Sequence, residues 1–416
     1  MTDTPANRRC TSQALDRPAA RSVRTALSSR TATVFAFTAL AIFLVSSSAP
    51  TPLYRLYQQD FGLTPLMVTV VFAAYSFGLL GSLLTVGSLS DHLGRRPVVL
   101  AALALNALAM VVFIFANSVG LLIAARLIQG FGAGVAATAI GAAIVDLNKT
   151  RGPTLNAIAP FAGLTIGALG SAFLVTYAPA PEHLVYVVLL AASLLLLLAL
   201  WNMPETAKAE LGALASLVPR VHVPRAARKA LIAVTPLNVA AWALGGFYFS
   251  LVPSLVRVAT GLTSPVIGGG VVAALTVTAA LTVVMVRQWN PRHTLTFATL
   301  VLPAGVGVIL LGIQLQAVLV LLSGSLVTGF AFGASFLGNL RTLLPLALAD
   351  ERAGLLSAFY VQSYLAFSVP AILAGLVTPL IGLPTTATIG CGLVIVMALV
   401  SFVLTRLRGK AEAPQS

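Results

Sequence analysis

The sequence predicts an all-α membrane protein: twelve transmembrane helices in two pseudo-symmetric six-helix bundles. Three observations predict it. First, charge is too sparse to cover a water-soluble globule: of 416 residues, 58% are hydrophobic and 9% charged, with a mean hydropathy of +0.97. A soluble domain carries about 25% charged residues. Second, the apolar runs are about 20 residues long, which crosses ~30 Å of hydrocarbon as a helix, and they do not alternate with period two as barrel strands do. Third, one turn signal occurs twice. Pro52-Leu53-Tyr54-Arg55 precedes Gly62-Leu63-Thr64-Pro65, and Pro253-Ser254-Leu255-Val256-Arg257 precedes Gly261-Leu262-Thr263-Ser264-Pro265. The offset is about 200 residues, the mark of two related halves.

In chain order, residues 1–31 form an N-terminal tail with Arg8, Arg9, Arg17, Arg21, Arg24 and Arg30. The run after it is too long for a signal h-region. The first bundle is expected over 32–203, with spans at 32–54, 66–88, 98–117, 119–145, 154–177 and 183–203. Span one closes on the first turn signal. Between spans two and three a polar island, 87–100, gathers Asp91, His92, Arg95 and Arg96 with two glycines and a proline. Span four carries Arg126, and span five a stripe of Asn156, Pro160, Gly163, Gly167 and Gly170, read as a close-packing seam. Residues 204–229 are a basic linker that opens Pro204-Glu205-Thr206. The second bundle is expected over 230–405, with spans at 230–252, 265–286, 294–313, 317–340, 354–379 and 384–405, followed by a tail, 406–416.

Of the 25 Lys and Arg, all but Arg55, Arg126 and Arg257 fall in the tails or in every second loop. The positive-inside rule then makes both termini and the linker cytoplasmic. The formal net charge of +14 therefore reads as orientation, and no nucleic-acid partner is expected. Cys10 and Cys391 make no disulfide framework. His92, His183, His222 and His293 sit in or beside loops without metal-ligand spacing. No catalytic constellation and no phosphate-cradling Gly-x-x-x-x-Gly-Lys-Ser/Thr loop occurs. The chain is expected to be no enzyme, to use no cofactor or metal, and to act as a monomer in the lipid bilayer. The excess of Arg over Lys points to a bacterial host and its plasma membrane.

The residues themselves resemble a family. Gly87-x-x-x-Asp91-x-x-Gly94-Arg95-Arg96 is similar to the signature loop of the major facilitator superfamily, and Arg126-x-x-Gln129-Gly130-x-Gly132-Ala133 to its second motif. The resemblance implies the major facilitator fold and secondary transport by alternating access, nearest to the twelve-helix drug and metabolite efflux permeases. Proton-coupled antiporters of that superfamily carry Gly-x-x-x-Gly-Pro in span five; here Ala168 stands where the proline belongs.

From these motifs a conformational latch is expected of Gly87, Asp91, Gly94, Arg95, Arg96 and Asp146. The family pattern implies that Asp91 accepts hydrogen bonds at the start of span eleven, near Gly354, and Arg95 needs an acid, for which Asp146 is the best placed in sequence. Such a latch would hold the cytoplasmic side closed. A coupling or substrate role is expected of Arg126, Gln129 and Gly130, with Asp60 the nearest acid for a proton site, paired with Arg126 or Arg55. Arg126 lies about 10 Å below the outer end of its span at 1.5 Å per residue, and a charge there marks a functional site. No acid or histidine falls at the middle of a span, so neutral, amphipathic or anionic substrates suit better than cations. The cavity is expected to be lined by Tyr75, Asn238, Trp242, Phe332, Ser335, Asn339, Tyr360 and Tyr364, which recur at helical spacing. The leading expectation is efflux of small amphipathic compounds in exchange for protons. The alternatives are a facilitator or proton symporter for a neutral metabolite such as a sugar, and a membrane ligand sensor.

Overall fold

The computed structural model describes residues 28–207, 210–219, 221–348 and 351–411. The tail arginines Arg8 to Arg24, Cys10, Lys208, Arg220, Asp350 and residues 412–416 lie outside the described residues. The described chain is helical, and twelve of its helices are long and apolar enough to cross a membrane.

The first half comprises α1 (Ser29–Ser48), α2 (Tyr54–Asp60), α3 (Pro65–Thr85), α4 (Leu89–Leu93), α5 (Arg95–Ile114), α6 (Val119–Leu147), α7 (Gly152–Tyr177) and α8 (Pro181–Ala199). The second comprises α9 (Arg225–Ser250), α10 (Val252–Thr260), α11 (Pro265–Val286), α12 (Pro291–Gln314), α13 (Val318–Leu343), α14 (Arg352–Ile381) and α15 (Leu383–Ala411). Several starts are written in the residues. Thr64, Ser118 and Asn290 accept backbone N–H bonds at the N-termini of α3, α6 and α12. Proline stands in the first turn of α3, α8, α11 and α12, where its missing donor costs nothing.

The two halves pack alike. α3 packs on α6 as α11 does on α13, α5 on α6 as α12 on α13, α1 on α7 as α9 on α14, and α5 on α8 as α12 on α15. The halves meet through the related pairs α3–α14 and α11–α7. The repeated turn is also repeated in space: α2 and α10 are short helices after α1 and α9, Gly62 and Gly261 both adopt positive φ (64° and 74°), and Pro65 and Pro265 open the next helix.

Three boundaries differ from expectation. Span one is not continuous over 32–54. Pro50 and Pro52 cannot donate to the helix ladder, so α1 stops at Ser48 and α2 starts afresh at Tyr54. Residues 225–229, expected in the linker, form the first turn of α9, and the last helix continues beyond 405 to Ala411. The side carrying the linker is here the linker face, the opposite one the far face.

Candidate functional site

A cavity of about 280 Å³ lies between the halves, lined from α1, α3, α6 and α7 on one side and α9, α13 and α14 on the other. A cleft of about 370 Å³ near Arg292 and Arg341 is larger but lies within the second half. The central cavity borders both halves, so it is where a relative movement of the two would act. Toward the linker face its lining keeps some exposure, at Leu83, Ala137, Thr138 and Asn156. Toward the far face Ser47, Phe72, Arg126 and Phe249 are buried. The cavity opens toward the linker face.

Far-face closure is built from close approaches. Thr51 Oγ1 donates to Phe249 O at 3.0 Å, and Arg55 donates to Thr263 O. A Cβ on Gly269 would stand 2.9 Å from Ala168 O, and one on Gly375 would stand 2.9 Å from Pro65 O. Deeper in, the hydroxyls of Thr165 and Thr276 meet at 2.7 Å. Glycine lets these helices touch backbone to side chain.

Arg126 is the charged group of the cavity. It is 1% exposed; Nη1 donates to Ser47 O and to Gln129 Oε1, both at 2.8 Å. Gln129 in turn donates to Ser46 O at 2.8 Å. The i, i+3 spacing of Arg126 and Gln129 puts them on one face of α6, and the backbone end of α1 supplies carbonyls freed by the break before α2. The guanidinium lies 4.9 Å from the Tyr75 ring centroid and 6.0 Å from that of Phe72. Its Nε has no hydrogen-bond partner, nor has the neighbouring hydroxyl of Tyr54.

Gly130 does not address the cavity. Its Cβ would stand 2.0 Å from Tyr75 O, so it is a seam between α3 and α6. Asp60 is exposed at the end of α2, and among the described residues it makes an ion pair with neither Arg126 nor Arg55. It lies beside Glu182. Behind it, Tyr57 and Tyr186 share a buried 2.8 Å hydrogen bond, and burial pushes the Tyr57 phenol well above its ordinary value.

Of the expected lining, Tyr75, Trp242, Phe332, Tyr360 and Tyr364 border the cavity. Trp242 is the hub: its ring lies 5.1 Å from Tyr364, 5.8 Å from Phe367 and 6.5 Å from Phe332. Asn238, Ser335 and Asn339 do not border it. They are at most 1% exposed and bonded to one another inside the second half: Asn238 donates to Ser363 Oγ at 2.9 Å, and Asn339 to Asn238 Oδ1 at 3.1 Å. Buried amides in a membrane bundle need partners, and α9, α13 and α14 supply them for each other.

The polar island forms a second cluster, on the linker face. Gly94 adopts φ 93°, which lets α4 turn directly into α5. Arg95 pairs with Asp91 at 2.5 Å and its Nε lies 3.5 Å from Asp146 Oδ2. Asp91 is not at the start of α14. It is 57% exposed, and the position near Gly354 is taken by the linker, where His222 N donates to Gly354 O at 3.3 Å. Glu205, whose role the sequence did not disclose, caps α5: its carboxylate accepts Arg95 N at 2.8 Å and Arg96 N at 3.0 Å. Arg96 donates to Trp201 O at 2.8 Å. The Gly87 Cβ would meet Leu83 O at 2.5 Å, in the turn that leaves α3. The cluster is thus confined to the first half and the linker, as fits a cavity open on this face.

Comparison with known proteins places this geometry. The model of the Major Facilitator Superfamily matches residues 32–369. Curated relatives match in part: an uncharacterized transporter of Rickettsia felis is 32% identical over 103 residues, 23% of this chain and 24% of that protein. A second, of Rickettsia bellii, is 41% identical over 66 residues, 16% of each chain. The multidrug resistance protein MdtL of a Shewanella species is 37% identical over 73 residues, 18% of each. The chain thus spans under a quarter of the length of these relatives. Solved structures match more widely. The nucleoside transporter NupG superposes with TM-score 0.69 at 12% identity, over 90% of this chain and 99% of that one. The human organic anion transporter MFSD10 does so with TM-score 0.63 at 18% identity, over the same shares. At those identities the likeness is one of fold.

Proposed function

The chain belongs to the Major Facilitator Superfamily, and from that premise we propose that it is a secondary transporter that moves small amphipathic compounds by alternating access. The observation that carries the reading is the central cavity: both halves line it, the far face is closed over it, and it opens toward the linker face. Rocking the related pairs α3–α14 and α11–α7 would exchange the open side. Its aromatic lining suits amphipathic cargo. The basic loops put the linker face in a bacterial cytoplasm, and the partial likeness to a multidrug resistance protein supports efflux from that side.

Proton exchange is the drive expected of an efflux permease. A second reading, facilitated passage of a neutral metabolite, is favoured by one observation: among the described residues, no Asp or Glu lines the cavity. Uptake of a compound panel into proteoliposomes, with and without an imposed pH gradient, separates them. Exchange needs the gradient, facilitation does not, and no movement in either condition sinks the transporter reading.

The Asp91–Arg95–Asp146 cluster is assigned the latch role: when the halves close on the linker face, Asp91 moves to the N-terminus of α14, where helix dipole and free N–H groups favour an anion. Asp91→Asn is expected to slow turnover while leaving ligand affinity nearly unchanged; a loss confined to affinity counts against the latch.

A further inference from the structure

Arg126 carries a full positive charge that nothing in the cavity neutralises. Its acceptors, Ser47 O and Gln129 Oε1, are neutral, and its two aromatic neighbours offer only ring faces. Among the described residues no Asp or Glu lines the cavity, and both ion pairs belong to Arg95 on the linker face. A buried cation without a counter-charge is unfavourable, and a partner that brings the opposite charge is favoured in proportion. Two donors stand ready for one: Arg126 Nε and the Tyr54 hydroxyl, both buried and without a hydrogen-bond partner.

The far-face cleft carries the same sign. Tyr54 lines it together with Arg55 and Arg257, the related arginines of the two turn repeats, and among the described residues no acid lines it. Cations therefore stand at the cavity and at the closure beyond it. A cationic compound would meet like charge at both places, and a neutral one would leave the charge of Arg126 uncompensated.

We propose that the cargo is an amphipathic organic anion, whose carboxylate or equivalent single anionic group pairs with Arg126 and Tyr54 while its apolar body lies against Phe72, Trp242, Phe332 and Phe367. The inference rests on the transporter reading for its cargo role, but the anion site can be tested by binding alone. In such a site the cargo itself supplies the missing carboxylate. That accounts for a cavity without an acidic residue and gives Arg126 a use at either stage of the cycle.

The test uses the full chain with Trp201 and Trp289 replaced by Phe, so that fluorescence reports Trp242. It is titrated with aromatic carboxylates and their neutral amides, 2-naphthoate and 2-naphthamide first, and the same pairs are then followed by counterflow in proteoliposomes. The carboxylate is expected to bind about tenfold more tightly than its amide, and Arg126→Gln to reduce that preference to within about twofold. Arg126→Lys, which keeps the charge, should retain most of it. If no carboxylate quenches more strongly than its amide in the unsubstituted cavity, the proposal is overturned, whatever the variants do. A preference that survives Arg126→Gln in a monodisperse protein overturns it too. Amides carried as fast as carboxylates would leave a transporter without an anion site. A binding preference with no counterflow would leave the anion site and remove the transporter reading.

Discussion

Single residues decide two things here, and only one of them announces itself. Arg126 stands out because a charge within an apolar run is costly and therefore purposeful; its depth and its spacing to Gln129 follow from helical geometry. Glu205 does not stand out, since a carboxylate in a basic linker reads as ordinary solvated charge. Its two oxygens nevertheless take the first N–H groups of α5, and Oε1 also accepts Thr206 N at 3.0 Å and Ala207 N at 3.1 Å. Glu205→Ala is expected to cost about 1 kcal/mol, as lost caps do, read as a lower unfolding temperature in detergent. Glu205→Gln, which keeps acceptor oxygen but not charge, should cost less. Asp146 was legible as a partner for Arg95 because both stand at linker-face helix ends; the extra hydroxyl that Thr206 offers Asp146 at 3.3 Å was not.

At the scale of helices, small residues set how closely the elements approach. The span-five stripe is a seam for part of its length: a Cβ on Gly163 would stand 2.5 Å from Leu44 Cβ and one on Gly167 2.3 Å from Val45 O, while Gly170 faces open space. Gly130 behaves like Gly163, although its motif suggested a share in coupling. Gly130→Ala must push α6 off the α3 backbone, an overpacking cost of about 3 kcal/mol. Gly120→Ala on the same helix meets nothing within 4 Å and should stabilise by up to ~1 kcal/mol through helix propensity. Thermal unfolding of the pair checks both signs. Helix-face periodicity also explains the misplaced amides. Asn238 and Asn339 fall on the polar stripes of α9 and α13, but a stripe says only that a face meets protein. Whether it meets its own bundle or the other one depends on rotation about each helix axis.

For the whole molecule, the far-face contacts set which side is open. One of them sets Gly269 against Ala168 and Ala172, with a Cβ 2.7 Å from Ala172 Cβ. Gly269→Val is expected to hold α11 off α7 and shift the population toward far-face opening. The check is a chain with Cys10 and Cys391 replaced by Ser and Thr51→Cys introduced, at a position 2% exposed. Labelling by a membrane-impermeant maleimide applied from the far face should rise severalfold when Gly269→Val is added, and equal labelling would show that this approach does not control the closure. The position of Ala168 acquires a meaning in this setting: its carbonyl is what Gly269 approaches, so the missing proline lies at a contact between the halves rather than in the cavity.

The sequence by itself determined the class, the number of spans, the relation of the two halves and the arginine at the centre. Bilayer thickness, the cost of an unpaired charge and the freedom of glycine act locally along the chain, so residues alone reveal them. The tertiary structure decided what depends on which helix faces which. The aromatics of α9, α13 and α14 line the cavity while the amides of the same helices turn inward. Asp91 stays with Arg95 in the state open to the linker face, while the linker itself occupies the start of α14. Those outcomes come from packing angles and from the balance between two closures, and neither is encoded at any one position.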